Sequence, residues 1–174
     1  MKTGCRKAKF KSMVTESQQR QKPLYDTDYY LWILETVKHL QNQEFEAVNW
    51  DNLIDEVLDL SKREKRKLQS LLKRLFEQLL KLKYWENEVE RNRRHWRGEI
   101  VNFRQQIKYQ LEDSPSLKPY LKEIFHQSYQ DARVIASEKS GLPLHTFPEQ
   151  PIAFGKWQSH IAPLEQVLDE NWLP

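Results

Sequence analysis

Three groups of side chains in this 174-residue chain could do chemistry, each of a different kind. Glu123-Ile-Phe-His126 is an ExxH, the i, i+3 pair that sets a carboxylate and an imidazole on one helix face in di-iron bundles. Such a centre needs a second ExxH and two further inward glutamates, and the chain holds this one alone. A lone pair cannot close a coordination shell, so no metal ligand is assigned. Asp51, Asp55, Glu56 and Asp59 could hold a divalent cation in a nuclease-like site. A solvated acidic face, or a partner for basic helices, is the blander reading of the same residues. Glu35 and His39, four apart, read as a surface pair.

The third group is the run RNRRHWRGEI, residues 91–100. Arg91, Arg93, Arg94 and Arg97, continued by Arg104 and Lys108, could meet successive phosphates or an acidic partner surface. An exposed aromatic beside them could stack on a base. Periodicity sets Trp96 with Ile100, Phe103, Ile107 and Leu111 on an inner face, which favours the core for the tryptophan. The cationic side chains fall largely outside that face. They are therefore candidates for anion or partner contact, whether with a polyanion, a protein, or the acidic helix 51–59 of the same chain. Guanidinium groups prefer planar, defined partners, so this run suits specific pairing better than the lysine-rich run 62–67.

Other chemistries lack their parts. There is no GxSxG elbow, no glycine-rich phosphate loop, and no core cysteine near a histidine. No catalytic residue and no cofactor is therefore expected, and an enzyme is unsupported rather than excluded. The lone Cys5 forms no internal disulfide and no zinc pattern, which suits a reducing cytoplasm. No apolar run reaches the ~18 residues of a membrane span, and the N-terminus lacks the apolar stretch of a signal peptide.

Charge is blocked along the chain. Residues 1–23 carry seven basic and one acidic side chain, residues 24–60 one and nine, residues 61–108 fifteen and six, and residues 109–174 five and nine. Mean hydropathy is −0.84, yet six Trp, seven Tyr and seven Phe argue for a packed core. Either the acidic and basic blocks neutralise one another, or the basic block 61–108 faces a polyanion.

The elements that must position these groups are helices. Asp26 or Asp28 caps a first helix with the stripe Tyr29, Trp32, Ile33, Thr36, Val37, Leu40. Asn49 caps a short acidic helix with Trp50, Leu53, Ile54, Val57 and Leu58 on one side. Ser61 with Glu64 has the form of a capping box, so a third helix begins there, or else Ser61 sits inside one continuous helix. Leu68, Leu72, Leu75, Leu79 and Leu82, widened by Leu71, Phe76 and Leu80, form the strongest stripe. The Trp96 helix follows, with Gly98 marking a close crossing or a kink. Ser114-Pro115 starts a fifth helix (Leu117, Leu121, Ile124, Phe125, Ser128, Ala132, Ile135) that stops at Gly141. Pro143, Pro148, Pro151 and Pro163 punctuate a C-terminal wrap ending in a short helix around residues 164–168. The expected fold is all-α, a compact bundle of about five helices. The expected organisation is a mobile basic tail over residues 1–23 and one helical domain over 24–174. Residues 1–12 are expected to be dispensable, with Met13 as the start.

LYDTDYYLWI (24–33), NLIDEVLDL (52–60), LLKLKYW (79–85), RRHWRGEI (93–100), PSLKPYL (115–121), YQDARVIASEKSGLPLHTFP (129–148) and LDENWLP (168–174) carry a resemblance. Together they resemble the cyanobacterial domain-of-unknown-function family that is twenty-ninth in the DUF series, from about residue 24 to the C-terminus. The resemblance implies a small all-helical domain and brings no activity or catalytic residue with it. Two departures stand out: Gln150-Pro151 lies where members often have Cys-Pro, and IAFGKWQSHIA reads as an insertion. Two function classes follow. One is a non-enzymatic interaction or regulatory domain with a protein partner; the other is nucleic-acid binding through residues 61–108. A small metal-dependent enzyme using the acidic helix 51–59 comes third. No membrane partner is expected, and oligomeric state is open.

Overall fold

A computed structural model describes residues 24–151 and 163–174, and its described residues are helical with no strand. The N-terminal tail and the whole IAFGKWQSHIA stretch lie outside the described residues. Six α-helices follow in order: α1 (Leu24–Thr27), α2 (Tyr29–Gln41), α3 (Trp50–Tyr84), α4 (Glu86–Asp113), α5 (Lys118–Ser140) and α6 (Pro163–Leu168). Short 3-10 turns at Phe45–Ala47, Pro115–Leu117 and Leu144–Thr146 join them. By backbone contacts the chain divides into two compact units, one ending at Asp59 and one beginning at Leu60.

The first unit starts where its caps predict. The Asp28 carboxylate accepts from Leu31 N at 3.0 Å, and the Asn49 side chain accepts from Asn52 N at 3.2 Å. Each satisfies one of the orphan donors of a helix start. Of the two aspartates proposed, Asp28 is the cap. Between α2 and α3 the chain turns through Gln43, whose φ of 60° is left-handed. Trp32 and Thr36 are buried from the α2 stripe, whereas Tyr29 and Val37 are exposed. The α3 residues read as one apolar side behave likewise: Trp50, Ile54, Val57 and Leu58 all stay exposed.

There is no helix start at Ser61. α3 runs unbroken through it for 35 residues, so of the two readings the continuous helix is the correct one. A serine in mid-helix can form S-x-x-E by chance, and helix continuity is decided by the residues on both sides.

In the second unit the leucine stripe builds the core. Leu68, Leu72, Leu75, Leu79 and Leu80 are 0% exposed and pack with Ile100, Phe103 and Ile107 of α4 and Leu121, Ile124, Tyr129 and Ala132 of α5. The Gln110 amide donates to Glu64 O at 2.7 Å across the turn at Trp85, which makes α3 and α4 antiparallel in this unit. Trp96 is buried and stacks on Trp85 with ring centres 5.7 Å apart. Gly98 meets no atom within 4 Å of where a Cβ would stand, so no close crossing requires it. Ser114 does not cap α5: its side chain makes no capping bond, Pro115 opens a 3-10 turn, and α5 begins at Lys118. Gly141 does end α5, at φ 69°, the left-handed geometry in which a Cβ would be strained.

Candidate functional site

The acidic group of the first unit is partly committed to local bonds. The Glu56 carboxylate accepts from the Tyr25 hydroxyl at 2.8 Å and from the Tyr29 hydroxyl at 2.6 Å, one phenol on each oxygen. Donating to Glu56 favours the neutral phenol and pushes Tyr25 up to about 12, with burial adding to the shift. Tyr25 and Tyr29 also pack on Trp32, at 4.9 and 5.7 Å between ring centres. Asp51 and Asp55 remain exposed. Among the described residues no three of His, Cys, Asp or Glu gather as a metal-ligand set. His39 pairs with Glu44 at 2.7 Å rather than with Glu35, and this hydrogen bond holds the Glu44 carboxyl below its ordinary value. The Glu123 and His126 side chains are exposed on α5.

Arg91, Arg93, Arg94 and Arg97 are exposed in the first turns of α4, and Lys108 is exposed further along it. Among the described residues of their own unit, none of these four arginines has an ion-pair partner. The acidic stretch 51–59 opens α3, whereas the arginines directly follow the turn that closes α3.

Arg104 differs from the expectation that it lies off the inner face. It is 2% exposed, and it holds the C-terminal segment by donating from Nε to Val167 O at 2.8 Å and from Nη2 to Trp172 O at 2.9 Å. Burial lowers its pKa to about 10, against a raising effect from Asp169 and Glu170. An arginine stem covers apolar surface as readily as a leucine, so the stripe alone could not place it.

A parallel tie on α5 escaped the sequence reading. Arg133 donates from Nη2 and Nε to Phe147 O at 2.8 and 3.2 Å, while the Tyr129 hydroxyl donates to Pro148 O at 2.8 Å. Phe147, 1% exposed, thereby enters the core edge-on to Tyr84. The motifs YQDAR and HTFP are thus two halves of one strap. A second overlooked cluster centres on Glu77, 5% exposed, whose Oε1 accepts from Lys81 and, at 2.6 Å, from Lys139. Burial pushes the Glu77 carboxyl up, but the hydrogen bonds from Lys139 and Lys81 outweigh it and leave it below the ordinary value. The available signal was Glu77 and Lys81 at i, i+4 inside a leucine-dense stretch, where a charge pair must share the core.

These features define a class: a protein helical throughout its described elements, in which buried arginines strap later segments onto the helices. The chain belongs to the family described as domain of unknown function DUF29, whose model matches residues 24–173. No curated protein and no solved structure matches it. Among the described residues no helix is long and apolar enough to cross a membrane.

Proposed function

We propose that this protein is a non-enzymatic interaction domain whose N-terminal unit docks a cationic amphipathic helix of a protein partner. One observation carries the reading: apolar side chains at helical spacing stay uncovered in an acidic setting. On α3 they are Ile54, Val57 and Leu58, all above half exposed; Tyr30, Leu34 and Val37 of α2 are exposed as well, on the side turned away from α3. Exposed apolar stripes of this kind mark interaction surfaces when they are contiguous and rimmed by charge. Residues 24–60 carry nine acidic side chains against one basic, which opposes self-pairing of this surface and suits a cationic partner. Lone Cys5 supports a cytoplasmic setting. Fluorescence anisotropy with labelled Leu/Lys and Leu/Glu amphipathic peptides tests the proposal on the full chain. The Leu/Lys peptide is expected to bind, the Leu/Glu peptide not, and the double change Val57→Ser with Leu58→Ser to weaken binding. Equal binding of both peptides, or no effect of the double change, would sink it.

A second reading has its own support. The exposed Arg91, Arg93, Arg94 and Arg97, unpaired among the described residues of their unit, suit phosphate contacts of a nucleic acid held by the block 61–108. A metal-dependent reading of residues 51–59 has less behind it, because both Glu56 oxygens already accept phenol hydroxyls.

A further inference from the structure

A buried cation normally has an anion beside it, because a full charge out of water is costly unless paired. Arg104 breaks that pattern. Two of its nitrogens donate to neutral backbone carbonyls, its Nη1 is buried with no acceptor, and its guanidinium makes no ion pair among the described residues. Asp169 and Glu170 act on it only at longer range. Beside it opens a cleft of about 380 Å³ between α4, the start of α5 and the C-terminal segment. That volume falls in the ordinary range for small-molecule sites, roughly 300–1,000 Å³. Arg104, Lys108 and Lys118 supply its positive charge, and Ile107, Leu111 and Leu168 its apolar wall.

We infer that this cleft binds a small amphiphilic monocarboxylate. Its head lies in the field of Arg104 and between the ammonium groups of Lys108 and Lys118, and its apolar body lies on Ile107, Leu111 and Leu168. The chemistry of the lining narrows the ligand. Glu112 and Glu170 also border the cleft and Asp169 acts on Arg104, so the positive charge left over is small, enough for one negative head and exceeded by a dianion. The apolar wall of Ile107, Leu111 and Leu168 favours a ligand with a hydrocarbon body over free phosphate. The site lies wholly in the second unit and does not depend on the docking surface proposed for the first.

Two-dimensional NMR of the full chain, titrated with octanoate, 1-octanol and inorganic phosphate, tests this. Octanoate is expected to give saturable shifts at the Ile107, Leu111 and Leu168 amides, with octanol about tenfold weaker or worse, the effect of one lost charge contact of ~1.4 kcal/mol, and phosphate inert. Lys108→Met and Lys118→Met change exposed side chains and so keep the fold; each is expected to weaken octanoate several-fold. Arg104→Gln, where it folds, is expected to abolish binding. The inference is overturned if octanoate gives no saturable shift, if octanol or phosphate matches it, or if both lysine variants bind as the parent does.

Discussion

Glu77 shows how one side chain can carry opposite tendencies. Its burial favours the protonated form, and two ammonium donors, Lys139 and Lys81, favour the charged one and prevail. A carboxyl whose folded pKa is lowered contributes stability above its ordinary value of 4.5, and loses it as pH falls through the lower folded value. Glu77→Gln leaves Lys81 buried without its counter-charge, a change expected to cost about 3 kcal/mol near neutral pH. The gap from the parent should narrow steadily as pH drops below 4.5. Urea melts of the two proteins at stepped pH measure it, and a gap independent of pH would refute the assignment. At the same scale, Arg104 and Arg133 each use a charged fork to hold neutral carbonyls of distant segments, and so convert flat stretches of sequence into fixed straps.

At the scale of elements, α3 is the informative case. Its hydrophobic residues recur at helical spacing from Trp50 to Leu82, yet they fare differently along its length. Leu72 is 0% exposed and Leu58 is 53% exposed. Leu72→Ala is therefore expected to destabilise by about 2–5 kcal/mol, the usual result of emptying a core site. Leu58→Ala should stay within about 0.5 kcal/mol, as surface changes do. Thermal melts of the two variants decide it; a similar loss in both would mean that Leu58 is covered in solution. Periodicity thus reports that a face exists and leaves open what covers it. The 3-10 turn at Pro115–Leu117 makes a related point, since Ser114-Pro115 marks the start of a coiled segment correctly while the α-helical ladder begins three residues later.

For the whole molecule, the alternating charge blocks set the question of what the arginine run faces. Arg91, Arg93 and Arg94 changed together to Glu should leave the melting temperature nearly unchanged, because exposed side chains without ion pairs in their unit contribute little to folding. If the second functional reading holds, retention on RNA or duplex DNA at low salt should vanish with the same change, and the parent's affinity should fall linearly in log–log terms with salt. A large loss of stability, recovered by Lys at Asp51, Asp55 and Asp59, would instead show internal pairing. The sequence by itself determined the all-helical class, the caps at Asn49 and Gly141, the leucine core of α3 and the burial of Trp96, and it narrowed the first cap to Asp26 or Asp28. Those follow from interactions within about four residues, which local spacing records. Only the tertiary structure decided that α3 runs through Ser61, that Val57 and Leu58 stay uncovered, and that Arg104, Arg133 and Glu77 are buried ties. Arg104 meets its acceptors 63 and 68 positions away and Glu77 meets Lys139 at 62, and no periodicity encodes a partner at such a distance, because only the packed chain brings the two together.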